Sequence, residues 1–254
     1  MSLSLRISNI GKDLLLIYGV IGDVHSNYEA LTAVVDELQK ERVDKVLCTG
    51  DIVGYAAEPI KCIDLIRELN CIVVAGNHDY AAVGKFPAGY FHADARAAIL
   101  WTAKHLSAEC IEFLKNLPLV VELNDITLVH ASLNHPEFFD YITTGADAQL
   151  NLDILKTQIC FYGHSHVPLA IFGESGSIRV DRGCVFDLNN AEKVLINVGS
   201  VGQPRDWDIR ASYAIYDDEK KVAQIKRTKY NIHDAVNKIY MAGLPEINAL
   251  RLMG

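Results

Sequence analysis

Five apolar runs of this chain end in groups able to bind metal ions or move protons. "LLLIYGVI" runs into "GDVHSN", "DKVLCTG" into "DIVGY", "CIVVAG" into "NHDY", "ITLV" into "HAS", and "ICFY" into "GHSH". These ends carry Asp23, His25, Asp51, Asn77, His78, His130, His164 and His166. Any one of them has an ordinary explanation, because Asp and Asn close turns and a single histidine near a strand end is commonly a satisfied core or surface group. Together they form a constellation that chance turns do not explain. Residues two apart in an extended chain project to the same side, so Asp23 is expected to converge with His25, and His164 with His166. In "AGNHDY", Gly76 and Asn77 both tolerate positive φ, and a turn is expected there.

The donor types restrict the chemistry. Carboxylate, imidazole and one amide oxygen are present, and no thiolate is among them. That disfavours a structural zinc site and points to manganese, iron, zinc, cobalt or nickel. Seven ligands are too many for one catalytic ion that must keep positions open for water, and they suit two ions sharing a carboxylate.

The elements that must position these residues read as an α/β chain. "LLLIYGVI" (14–21) is a buried strand, and 27–40 places Leu31, Val34, Val35 and Leu38 at helical spacing. "DKVLCTG" is a second strand, 59–69 a helix with Pro59 in its first turn, and "CIVVAG" a third strand. This β-α-β-α-β order implies parallel strands whose carboxyl ends share one rim, where sites form. Residues 92–116 read as helical, broken near Ser107, a candidate N-cap. Short strands then follow with polar or Gly turns ("LVVEL", "ITLVHA", "QICFYG", "LAIFG", "SIRV", "KVLINVG", "SYAIYD", "KVAQIKR"), with a helix near 145–153 and two helices in the tail. One domain spanning 1–254, with two packed mixed sheets flanked by helices in an α/β/β/α sandwich, is the economical architecture.

Composition excludes some partners. A net charge of −8 argues against an extended nucleic-acid surface. The basic residues of "EKKVAQIKR" read as a solvated strand edge. The first apolar run is too short to span a membrane, and no cleavage site precedes "GDVH". Six cysteines without a C-x-x-C pair fit a reduced, cytoplasmic protein. A small phosphate-ester partner is expected, and the oligomeric state is left open.

The series "GDVHSN … GDIVGY … GNHD … VHAS … GHSH" resembles the calcineurin-like metallophosphoesterases, and "INVGSVGQPRDWDIRASYAIYD" with "AGLPEINALRL" resembles a bacterial and archaeal branch of them. The resemblance implies that Asp23, His25, Asp51 and His166 hold one divalent ion and Asp51, Asn77, His130 and His164 the other, with manganese or iron foremost. It implies in-line attack on phosphorus by a metal-bridging hydroxide, on a phosphomonoester or phosphodiester that is a small molecule or nucleotide. His78 would be left free to stabilise the transition state or protonate the leaving group. One departure stands out: the protein Ser/Thr phosphatases read "GDxVDRG", whereas Gly54 and Tyr55 occupy the places of that second Asp and the Arg here. Arg205 is a candidate replacement phosphate clamp, with Gln203 and Ser200 nearby, and Asn77 a second substrate contact. Trp207, Tyr55, Phe138 and Phe139 are candidates to stack on a base or line a lid. His92, His105, His135 and His233 have no assigned role. The alternatives to an enzyme of this kind are a non-catalytic scaffold on the same fold, or a nuclease.

Overall fold

Alternation of side chains along the strands sorts the apolar residues into three layers. The structure, a computed structural model, describes residues 4–6, 15–174 and 177–254. Strand β1 (Ser4–Arg6) is followed by β2 (Ile17–Ile21), in which Tyr18 and Val20 face one apolar layer and Ile17 and Ile21 another. Leu14 of the expected first strand lies outside the described residues. Helix α1 (Tyr28–Lys40) begins where the Asn27 side chain accepts a hydrogen bond from the Ala30 amide, and it buries the expected Leu31, Val34, Val35 and Leu38. Strand β3 (Lys45–Cys48), helix α2 (Pro59–Glu68) and strand β4 (Ile72–Val73) complete the β-α-β-α-β unit, with β2, β3 and β4 parallel.

"AGNHDY" is not a turn. Helix α3 (Asn77–Ala82) starts at Asn77, and Gly76 has a φ of −96°. The cause is Asp79, whose buried carboxylate accepts from the Gly76 amide at 3.0 Å and from the Val53 amide at 3.1 Å. One side chain thus caps the helix and ties the second motif to the third. Asp79→Ala would orphan two buried N–H groups. It is expected to destabilise the fold by about 2–4 kcal/mol, with Asp79→Asn losing less, read as a lower urea midpoint. Equal midpoints for the wild type and both variants would remove Asp79 from this role.

Helices α4 (Ala93–His105) and α5 (Ala108–Lys115) divide at Ser107, whose hydroxyl accepts from the Cys110 amide. Then come β5 (Val120–Leu123), β6 (Ile126–Val129), α6 (Gly145–Ile154), β7 (Ile159–Tyr162), β8 (Leu169–Glu174), β9 (Ser177–Asp181) and β10 (Val185–Asp187). The chain finishes with β11 (Lys193–Asn197), β12 (Ala211–Asp217), β13 (Val222–Thr228), α7 (Ile232–Met241) and α8 (Glu246–Met253). Two mixed sheets result, ordered β10-β13-β12-β2-β3-β4 and β1-β5-β6-β7-β11-β8-β9. The expectation of a solvated edge for "KVAQIKR" fails. β10 covers β13, and Lys226 and Arg227 pair with Glu41 and Asp206.

Tyr18, Leu47, Phe161, Ile196 and Tyr216 pack in the layer between the sheets. Leu31, Val34 and Leu38 of α1 cover the outer face of the six-stranded sheet, and Leu152 of α6 covers that of the seven-stranded one. This is the expected four-layer α/β/β/α arrangement. The tail helices form a separate cluster with Ala56 and Ala98. Among the described residues no helix is long and apolar enough to cross a membrane.

Candidate metal centre

The eight residues meet on one rim that both sheets share. Asp23 and His25 follow β2, Asp51 follows β3, Asn77 and His78 open α3 after β4, His130 ends β6, and His164 and His166 follow β7. Extended backbone does not aim them, contrary to expectation. Asp23, His25, Asp51, His164 and His166 have φ of 50°, 50°, 53°, 68° and 61°, the left-handed region. Such a conformation costs about 1–3 kcal/mol per non-glycine residue and persists where the surroundings enforce it. Here backbone hydrogen bonds do so: the Asp23, His25 and Ser26 amides donate to the carbonyls of Gly50, Asp51 and Ile52. The two loops are therefore laced together, and the strain lies in the residues that carry the donor atoms.

Two groups of donors form, and a third adjoins them. Asp23, His25 and His166 make one cluster, Asp51, His130 and His164 another, and His25, Asp51 and His78 a third, with the donor atoms of each within 4.8 Å of one another. Asp51 Oδ2 lies 3.7 Å from His25 Nε2 and 3.4 Å from His130 Nε2, so a single oxygen faces both sides. Its partner oxygen, Oδ1, accepts from the His78 amide at 2.8 Å. Both oxygens of Asp23 accept from the His164 amide, at 3.1 and 3.0 Å. The Asn77 amide oxygen is 3.1 Å from His130 Nε2.

Backbone carbonyls fix the imidazoles. Nδ1 of His25, His130 and His166 faces the carbonyls of Val53, Thr49 and Gln203 at 3.1, 2.8 and 2.6 Å. A carbonyl only accepts, so each Nδ1 carries a proton and, in the neutral ring, each Nε2 turns a lone pair inward. His25 Nε2 and His166 Nε2 then face each other at 3.0 Å, and His130 Nε2 faces His164 Nδ1 at 3.1 Å. The opposed lone pairs of His25 and His166 repel unless a cation lies among them. Protons do not supply it at His25 and His164, since burial and neighbouring imidazoles hold both well below the ordinary histidine range. At His130, burial lowers the pKa, but the Asp51 charge and hydrogen bond outweigh it and raise the ring to about 9. A buried set of inward nitrogen and oxygen donors, in which the Asp51 charge draws a proton onto His130 when no metal is bound, fits divalent ions.

The sequence model of the calcineurin-like phosphoesterase superfamily domain matches residues 16–221. This chain belongs to that superfamily. It is 42% identical over 232 residues to an uncharacterized protein of Methanocaldococcus jannaschii, covering 89% of this chain and 93% of that one. The crystal structure of a metallophosphoesterase from Sphaerobacter thermophilus superposes with a TM-score of 0.84 at 38% identity, covering 94% of this chain and 99% of that one. A shorter match, 33% identical over 75 residues, covers 26% of this chain and 27% of the symmetrical bis(5′-nucleosyl)-tetraphosphatase of Erwinia tasmaniensis.

His78 stands apart from the seven candidate ligands. It is 3% exposed and packs against His25, Tyr55 and Phe91, and its Nδ1 is buried without a hydrogen-bond partner. A Cβ at position 54 would lie 2.3 Å from that Nδ1, so the place of the second Asp in "GDxVDRG" is against His78 in space as well as in sequence. Glycine there supplies no carboxylate. Burial first, then the nearby imidazoles and Arg205, lower His78 to about 4 despite Asp51. The surroundings of His78 thus favour its neutral imidazole.

Asp51, Asn77, His78, His164 and His166 floor a cleft of about 540 Å³ lined by residues from distant parts of the chain. Arg205 reaches it, held by Tyr55 Oη and Gln203 Oε1, both at 3.1 Å. Ser200 lies beneath: its hydroxyl donates to the Asp23 carbonyl and accepts from the Gln203 amide. Phe138 lines the mouth and is 60% exposed, whereas Tyr55 and Phe139 are buried against His25 and His130. Trp207 is 96% exposed and does not line the cleft. Sequence reasoning missed Tyr141, stacked on His164 at 3.9 Å, as well as Tyr90, Phe91, His92 and Arg251. Only tertiary packing brings these together, although the spacing of aromatics in "FPAGYFH" was available as a hint.

Proposed function

We propose that this chain is a binuclear-metal-dependent phosphoesterase acting on a small phosphomonoester or phosphodiester. The observation that supports the reading is a pair of donor clusters with Asp51 Oδ2 between them, 3.7 Å from His25 Nε2 of one and 3.4 Å from His130 Nε2 of the other. Asp23, His25, Asp51 and His166 would hold one ion and Asp51, Asn77, His130 and His164 the other, with manganese or iron foremost. Bound there, the ions would bring the pKa of water toward neutrality and offset charge on the phosphoryl group.

The protein's own groups supply the rest. The neutral His78 ring donates a hydrogen bond to a phosphoryl oxygen as charge grows there. Arg205, braced by Tyr55 and Gln203, offers a guanidinium on the same side. Asn77 contributes an uncharged oxygen, so it binds without adding negative charge beside the phosphate. Tyr141 and Phe139 cover His164 and His130 and limit solvent entry. A scaffold role is disfavoured because every donor position is filled and faces inward. A nuclease role is disfavoured by the net charge of −8. The six free cysteines favour a reducing, cytoplasmic setting.

Manganese-loaded protein is expected to hydrolyse p-nitrophenyl phosphate or bis(p-nitrophenyl) phosphate, to stop with a chelator, and to resume when manganese is restored. Inertness toward both esters and toward natural nucleotides with metal bound would overturn the proposal.

A further inference from the structure

Arg251 projects from α8, beyond the segment that matches the superfamily, yet it lines the same cleft as Arg205. Several other cations of the C-terminal part are paired, Arg210 with Asp208, Arg227 with Asp206, and Lys238 with Glu29 and Glu58. Among the described residues neither Arg205 nor Arg251 has a carboxylate within 4.0 Å. Asp94 and Asp140 also line the cleft but pair with neither guanidinium, so two arginines remain free to meet an anionic ligand with more charge than one phosphoryl group. The helix that presents Arg251 is fixed to the site: buried Asn248 donates to the Tyr55 carbonyl at 3.2 Å, and Ala249 and Leu252 pack with Ala56.

The opposite feature of the cleft is aromatic. Tyr90, Phe138 and Tyr141 line it and remain 81%, 60% and 50% exposed. Large aromatics left uncovered around a polar floor provide stacking faces for a planar ring.

We infer that the substrate is a nucleotide with more than one phosphate: one phosphoryl group meets the donor clusters and Arg205, a second meets Arg251, and the base stacks on Tyr90, Phe138 or Tyr141. The inference rests on the phosphoesterase reading for the position of the first phosphoryl group. Arg251 is thereby a specificity residue supplied by the C-terminal helix pair.

The test is calorimetric titration of the manganese-loaded protein with a nucleoside 5′-diphosphate, the corresponding monophosphate and inorganic phosphate. The diphosphate is expected to bind roughly tenfold more tightly than the monophosphate, the size of one charge-assisted contact at an exposed site. Arg251→Gln should abolish that advantage and leave the monophosphate and inorganic phosphate unchanged. A Tyr90→Ala/Phe138→Ala protein should weaken both nucleotides but not inorganic phosphate. A wild type with no preference for the diphosphate, or an Arg251→Gln protein that loses all three ligands alike, would overturn the inference. The titration needs no turnover. An inert protein that prefers the diphosphate would count against hydrolysis and for Arg251, and an active one without the preference would do the reverse.

Discussion

An Asp51→Asn protein is expected to lose both ions together and to fall in turnover by roughly 10³-fold or more, several kcal/mol of lost stabilisation. The geometry makes the substitution severe although it is isosteric. Asp51 Oδ1 accepts from the His78 amide, and an asparagine keeps its oxygen there to preserve that bond. Its amide nitrogen then replaces Oδ2, between His25 Nε2 and His130 Nε2. An NH₂ group donates to those lone pairs and satisfies them without a cation. It also removes the one negative charge that faces both clusters. His25→Ala removes a donor beside Asp23 and His166 and none from the set of Asp51, His130 and His164, so it should weaken one ion and spare the other. Full stoichiometry and activity in Asp51→Asn would show that no shared carboxylate exists.

His78→Asn should leave folding and metal content nearly intact, because the ring is not among the proposed ligands. Turnover should fall by roughly 10²–10⁴, the range for a positioned acid, base or charge-stabilising donor. The two roles separate on the leaving group. An acid matters most for alkyl esters, whose alkoxide needs a proton, and least for p-nitrophenyl esters. A donor to the phosphoryl oxygens matters equally for both. Gly54 gives His78 Nδ1 no carboxylate with which to hold a positive charge, and the Nδ1 atom has no other partner. Equal losses on the two ester types are therefore expected. A loss confined to alkyl esters would make His78 the acid, and no loss on either would leave it a packing residue.

The candidate donors were legible because abrupt changes from apolar runs to Asp and His are visible in the sequence alone. "GDVH" and "GHSH" name their residues before any coordinate is known. How they converge was not legible. Five of them take left-handed backbone that no side-chain period encodes, enforced by amide-to-carbonyl bonds between loops distant in sequence. Helix α3 was hidden for a similar reason: its cap, Asp79, has its second partner at Val53, twenty-odd residues away in sequence. β13 read as an edge because the strand that covers it, Val185–Asp187, is three residues long and carries almost no signal. The cleft walls were least legible. Tyr90, Tyr141 and Arg251 meet only through packing of the turn before α4, the loop after β6 and α8, and no local pattern marks them as neighbours.

The central claim is that the donors form two sites joined by one oxygen of Asp51. Elemental analysis of wild-type and Asp51→Asn protein, each saturated with manganese and freed of excess, tests it most directly. Two ions per wild-type chain and near none in the variant are predicted; one ion or none in the wild type, or two in both proteins, would contradict it.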